Sequence, residues 1–331
     1  MIRAFLLVLA LVLALGNIAS ASGLSSARQV LERLGFAPTE LEEVLDGQFA
    51  QRAGKSDADS DIAVALAFLV RTPPVKFDRE LTGKRFVFSL DPHTLGGDEI
   101  PGNGSLGDFA GLTLSAAERN FYATTGAGGS VNLSAPELAQ LAALDGPGPE
   151  VDVVMRKILF ARFQRYKADG LDGLAPYDRG DGKKTDPASS LRADSESAGA
   201  LTGGDPRLAR FLLDYPESAP AGLVEKFYWL RYEAHGEPVL VLTHAFSAPV
   251  GDWTAFCQRQ FYVSRGYNTE QALALFMPVK EGTLVAYLNH TSTDQVLGFG
   301  GSAKRAIGER LMMRQLSGLF EKLRKAAAES Q

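Results

Sequence analysis

From Glu225 to Ala328 the chain passes through four or five long segments suited to β structure and then a single amphipathic helix. Val239–Ala248 (VLVLTHAFSA), Phe256–Tyr267 (FCQRQFYVSRGY), Ala272–Val279 and Thr283–Thr293 (TLVAYLNHTST) are rich in β-branched, aromatic and aliphatic side chains, which fit a pleated, half-buried surface. The turn signals between them are short: His235-Gly236-Glu237-Pro238, Pro249-Val250-Gly251-Asp252 and Lys280-Glu281-Gly282. The last permits only an antiparallel hairpin. The expected fold is therefore α+β, a curved antiparallel sheet packed on a long C-terminal helix. Ala303, Ile307, Leu311, Met312, Leu316, Leu319, Phe320 and Leu323 give that helix one apolar face, expected to cross the strands 256–267, 272–279 and 283–293.

Residues 1–21 read as a cleaved signal peptide, with Arg3 in the n-region, Phe5–Leu15 as the apolar h-region and Ala19-Ser20-Ala21 as the cleavage signal. An h-region of about 11 residues is too short to span a bilayer as a helix. The expectation is a periplasmic or secreted bacterial protein, with residues 22–331 forming one α+β domain. Cys257 is the only cysteine, so packing must stabilise the fold without an intrachain disulfide. The formal charge of -5 becomes one unit more negative when Arg3 leaves, which argues against nucleic acid as a partner.

Along the mature chain, Ser25–Leu34 and Pro38–Gln51 read as short covering helices, and Asp61–Arg71 as a strand. Lys84–Leu90 reads as a further strand and Asp91–Gly107 as loop. Leu114-Ser115 and Leu133-Ser134 each open a short helix. Residues 151–222 read as a mainly helical insertion: a helix over Val151–Gly170, a polar stretch over Pro176–Gly204 that is either a loop or a polar helix from Pro187 to Ala200, and another helix over Arg207–Tyr215.

The stretches Asp108-Phe109-Ala110-Gly111-Leu112-Thr113-Leu114, Phe227-Tyr228-Trp229, Leu242-Thr243-His244, Gln260-Phe261-Tyr262-Val263-Ser264 and Tyr287-Leu288-Asn289 with Asp294 resemble a group of exported bacterial proteins with no assigned activity. The resemblance covers both halves of the mature chain and so implies one unit. It also implies a cysteine pair near Thr124–Gly129, which this chain lacks. By element order alone, the meander and final helix are similar to the helix-grip fold of START-like lipid-binding domains. Element order does not assign a function.

Gly298-Phe299-Gly300-Gly301-Ser302-Ala303 matches G-x-G-x-x-A, but no βαβ unit follows, so the glycines read as turn and close-approach residues. Asp57-Ala58-Asp59-Ser60-Asp61 has the opening spacing of a calcium loop but lacks its glycine and its bidentate glutamate. No catalytic residue, metal site or cofactor is expected. By period two, Gln258, Gln260, Tyr262 and Ser264 share one strand face, and a row of buried polar groups needs partners, water or ligand.

The leading expectation is a noncatalytic protein that binds a lipid-like or other amphiphilic small molecule. Tyr228, Tyr262, Tyr287 and Asn289 would orient the polar end, Trp229, Phe246, Phe276 and Leu316 would line the apolar part, and His244 joins them as a ligand-binding residue. The alternative is a hydrolase-type enzyme using His244, His290 or Asp294 in the same pocket, with His290, Asp294 and Ser264 as one conceivable triad. The basic side of the final helix suits weak contact with an anionic membrane surface, although solvation and dipole complementation give it another reason to be basic.

Overall fold

The computed structural model describes residues 26–56, 58–71, 94–128, 130–199, 201–202, 206–234 and 237–329. Two short helices open the described chain, α1 (26–33) and α2 (Pro38–Leu45). The strands β1 (Ala50–Ala53), β2 (Asp61–Val70) and β3 (Thr94–Ile100) follow. A helical segment then runs through α3 (Ala116–Thr124), α4 (Ala135–Ala142), α5 (Glu150–Asp169), the two-residue strands β4 (Tyr177–Asp178) and β5 (Lys184–Thr185), α6 (Pro187–Gly199) and α7 (Pro206–Asp214). The meander comprises β6 (Val224–Ala234), β7 (Glu237–Val250), β8 (Trp253–Val263), β9 (Thr269–Val279) and β10 (Gly282–Ser292), and α8 (Gly301–Glu329) closes the chain.

These elements form an α+β fold around an eight-stranded, wholly antiparallel sheet in the order β1-β2-β10-β9-β8-β7-β6-β3. The five-strand meander follows from its tight turns, such as the Gly251 turn between β7 and β8, where φ of +60° suits glycine. The N-terminal strands take the two ends: β2 pairs with β10, and β3 pairs with β6. All ten residues of β2 are buried, which explains why its sequence is apolar on both faces. Ala65 and Ala67 face one core with α1 and α2, while Val64, Leu66, Phe68 and Val70 face the other. The larger core packs the helical segment on the first sheet face.

The helix starts foreseen around 115 and 134 are present. Ser115 Oγ accepts from the Glu118 amide and Glu118 answers to the Ser115 amide, a reciprocal cap. Glu118 and Glu137 then reach beyond their own helices, to Arg231 of β6 and Arg162 of α5 respectively. Helices α3 and α4, which precede residue 151, pack in the same layer as α5.

Three expectations need correction. Residues 94–100, expected as loop, form the edge strand β3, whose glycines accompany a register shift between Thr94 and Gly96. The second covering helix stops at Leu45, and Ala50–Ala53 pairs with β2 as β1. The largest change concerns α8, which packs mainly along β2 and β1, with Phe320 reaching Tyr287 of β10, instead of lying centrally across β8, β9 and β10. Helix α6 covers those three strands, from the opposite face. Met312, Met313, Leu316 and Phe320 form the sheet-facing side of α8, while Ile307 and Leu311 are 58% and 53% exposed. Lys84–Leu90 lies outside the described residues, as does the signal segment.

Phe320 anchors α8 between the Phe68 ring at 5.0 Å and the Tyr287 ring at 4.9 Å. Phe320→Ala is expected to cost about 3 kcal/mol, whereas Leu311→Ala should stay within about 0.5 kcal/mol. Urea denaturation of the two variants checks this; a larger loss from Leu311→Ala would place the apolar stripe back against the sheet.

Candidate functional site

Antiparallel register sets the site. Reading straight across the sheet, Phe227, His244, Arg259, Gln271, His290 and Ala63 stand opposite one another on β6, β7, β8, β9, β10 and β2. They point towards the helical segment, and His244, Arg259, Gln271 and His290 are all buried. Four neighbouring polar residues of the interior thus form one transverse row.

Arg259 is fully buried and has four acceptors. Its Nε donates to Gln271 Oε1 at 2.7 Å, Nη1 to Tyr166 Oη at 3.1 Å, and Nη2 to Ser195 Oγ at 3.0 Å and the Leu212 carbonyl at 2.6 Å. Those partners come from β9, α5, α6 and α7. Tyr166 Oη also lies 3.1 Å from His244 Nδ1, and His244 Nε2 lies 2.9 Å from Glu225 Oε2. Burial pushes the His244 pKa down to about 4, against the opposing influence of Glu225. The imidazole is neutral at pH 7, so its Nε2–H donates to the Glu225 carboxylate and its Nδ1 accepts from the Tyr166 hydroxyl.

At the other end of the row, His290 Nδ1 is 2.8 Å from Asp61 Oδ2 and 3.5 Å from Asp194 Oδ1. Asp61 opens β2 and Asp194 descends from α6. Burial first, and then the Asp61 charge, pushes the Asp194 pKa up to about 8. Burial alone would lower His290, but the Asp61 hydrogen bond and the charges of Asp194 and Asp61 outweigh it and raise its pKa. Asp61 Oδ1, Asp194 Oδ2 and His290 Nε2 are buried without hydrogen-bond partners, as are Gln271 Nε2 and Thr269 Oγ1 close by. Among the described residues, these three side chains form the one group able to offer three or more metal donors.

The face overlain by α8 carries polar rows at the same level. Tyr228, Thr243, Gln260, Glu270 and Thr291 stand in line across β6 to β10, and Gln258 and Asn289 flank Ala272 in the next line. Asn289 Nδ2 donates to Glu270 Oε1 at 3.0 Å and Tyr287 Oη at 3.2 Å, and Thr291 Oγ1 donates to Asn289 Oδ1 at 3.1 Å. Tyr267 bridges Tyr232 and Gln260. Thr243 Oγ1 and Gln258 Oε1 are buried without partners. Apolar side chains border the belt on both sides: Leu230, Val241 and Val263 towards one end of the strands, and Leu66, Phe68, Phe256, Phe276 and Val285 towards the other.

The expected site residues divide between the two faces. Tyr228, Phe276, Tyr287 and Leu316 belong to the α8 side, as does Asn289 through its bond to Tyr287. Trp229, Phe246, Tyr262 and His244 lie on the helical-segment side. Tyr262 departs from the period-two reading because a register shift between Leu242 and Thr243 turns it over, and Arg162 sits 4.4 Å above its ring. The two strand histidines share a face, but it is the face opposite α8, and three strand spacings, roughly 14 Å, separate them. The triad of His290, Asp294 and Ser264 is not assembled. Asp294 binds Arg179, Thr185 and Asn268, whereas Ser264 Oγ accepts from the Leu240 amide. Sequence reasoning missed Arg259 as the centre of the row, and also missed Asp194 and Gln271. Cys257 is buried, with its thiol pushed up to about 12 by burial, which leaves it a packing residue. Gly301 serves close approach: a Cβ there would meet the Val296 carbonyl at 2.5 Å.

Arg259→Met is expected to cost about 1–3 kcal/mol by leaving the acceptors of Gln271, Tyr166 and Ser195 without their common donor; denaturant unfolding measures it. His244 supplies a pH signature. The unfolded imidazole takes up a proton near its ordinary 6.5 while the folded one resists until about 4, so acid favours unfolding between those values, by on the order of 3 kcal/mol. Stability measured from pH 7 to 4 should fall through that window, and His244→Gln should flatten the fall; an unchanged slope would remove His244 from the account.

No family model matches the chain, and no curated protein or solved structure matches it. The function is therefore read from the chemistry of the two faces.

Proposed function

We propose that the protein is an exported, noncatalytic carrier or sensor of an amphiphilic small molecule, held on the sheet face beside α8. One observation carries this reading. A polar belt containing two unpartnered buried oxygens, Thr243 Oγ1 and Gln258 Oε1, crosses an otherwise apolar face. Buried acceptors without donors are costly, and a bound hydroxyl, amide or protonated headgroup supplies the missing hydrogen. The headgroup would sit against Gln258, Tyr287 and Asn289, with Tyr228 at the other end of the belt. The tail would run over Phe256, Phe276 and Phe68 towards Leu316 and Phe320. The combination of a broad antiparallel sheet and a C-terminal helix supports a helix-grip-like reading. Trp229, Phe246, Tyr262 and His244 have no role in this site, since they pack on the other face.

Native mass spectrometry of protein from its own host tests the proposal. A copurifying lipid-like molecule is expected, with displacement by fatty-acid probes. Absence of both a copurifying species and probe binding would overturn it. Gln258→Leu removes one unpartnered acceptor, so it should weaken binding of a polar-headed probe about tenfold without lowering stability; unchanged affinity would place the headgroup elsewhere.

A second contact is proposed on α8. Its outward side exposes Ile307 and Leu311 beside Lys304, Arg310 and Arg314, and Phe299 in the preceding loop is fully exposed. Apolar side chains set among basic ones suit an anionic lipid surface, and no helix among the described residues is long and apolar enough to cross a membrane. Vesicles containing phosphatidylglycerol should bind the protein more strongly than phosphatidylcholine vesicles, and Ile307→Asp should remove the difference. Equal sedimentation with both vesicle types would sink this contact.

A further inference from the structure

We propose that Asp61, Asp194 and His290 form a structural site for one divalent cation of the zinc or manganese class, which clamps α6 onto the junction of β2 and β10. The inference is independent of the amphiphile reading, because this cluster lies on the opposite face of the sheet.

Geometry is the first argument. One ligand atom from each residue lies within 4.8 Å of the others, and the His290 nitrogen stands 2.8 and 3.5 Å from the two carboxylate oxygens. Donors bound to one ion at about 2.0–2.2 Å, in tetrahedral or octahedral arrangement, are separated by about 2.8–3.6 Å. The 3.5 Å contact is long for a hydrogen bond but falls inside that range. Rigid elements fix the positions: the ladder pairs Asp61 with Ser292 and Ala63 with His290, while the Arg259–Ser195 bond holds the residue next to Asp194.

Unmet polarity is the second argument. Each of the three side chains is at least nine-tenths buried, and among the described residues the Asp61 and Asp194 carboxylates meet no protein donor other than His290 Nδ1, their second oxygens Asp61 Oδ1 and Asp194 Oδ2 having none. Two carboxylates face one imidazole, and Arg259, the nearest guanidinium in the row, is committed to Gln271, Tyr166, Ser195 and Leu212. A divalent ion balances both carboxylates and takes the imidazole lone pair, with water completing the shell. Donor type selects the metal. Calcium needs six to eight oxygens and magnesium favours an oxygen octahedron that keeps its waters, whereas one nitrogen with two carboxylate oxygens suits zinc or manganese. The ion would tie together the start of β2, the end of β10 and the middle of α6, elements distant in sequence.

The test uses the full chain, purified without chelator. Elemental analysis is expected to find close to one equivalent of zinc or manganese. Dipicolinate should strip the ion and lower the melting temperature by several degrees, and added Zn2+ or Mn2+ should restore it. Asp194→Asn and His290→Gln should each weaken binding at least a hundredfold and abolish the chelator response. Wild-type protein that fails to take up either ion in calorimetry, and melts identically with and without chelator, overturns the proposal whatever the variants do. Uptake that survives in a folded Asp194→Asn protein also overturns it, by assigning the ion to surface groups.

Discussion

A guanidinium buried without a carboxylate in contact must be solvated by the protein itself, and at Arg259 four neutral acceptors do this. They are drawn from a neighbouring strand and three separate helices, so the charge is tolerated only when α5, α6 and α7 have all docked. The cost of leaving any of those hydrogen bonds unmade makes the helical layer and the sheet one cooperative body. The same bond set fixes Ser195, hence Asp194 beside it, and Tyr166, hence the tautomer of His244.

The sheet is therefore more than a scaffold with two apolar sides. At one level along the strands, both faces are polar, and above and below that level both are apolar. Towards the helical segment the polar level is nearly saturated by protein partners, except around Asp61, Asp194 and His290. Towards α8 it is partly saturated, through Asn289, Tyr287, Glu270 and the Tyr232–Tyr267–Gln260 chain. Apart from Tyr262 Oη and Arg305 Nε, the unmet buried groups among the described residues thus fall in two small regions, one on each side of the same strands.

Much of the architecture can be read from local pattern. The meander follows from alternating segments and short turns, and the Ser115 and Ser134 helix starts follow from capping chemistry. Asp61–Val70 could be read as a strand because prolines bound it, but its place beside β10 could not, since pairing between distant strands leaves no local trace. Helix α8 shows why amphipathicity misleads. Its apolar residues cover more than one side, and the sequence pattern does not say that Ile307 and Leu311 face outwards while Met313 faces the sheet. The site was hidden for a related reason: Arg259 looks like any polar residue in a strand until register sets it beside Gln271 and His244. Period two also failed at Tyr262, where one extra residue in β8 reverses the facing of the strand's last residues.

The position of β2 also bears on how the chain is made. Its ten residues, DIAVALAFLV, are all buried in the finished sheet, yet Val70 pairs with Thr283 and Asp61 with Ser292. During synthesis this strongly β-prone run, uncharged but for Asp61, emerges long before β10 exists to receive it. Such a segment invites pairing with other chains, and the short β1 strand can shield only one of its edges. The meander can assemble through contacts between consecutive strands, but closure of the sheet at β2 depends on the most sequence-distant pairing and belongs to the slow end of folding. Until then, the edge of this hydrophobic strand that β10 will take stays open.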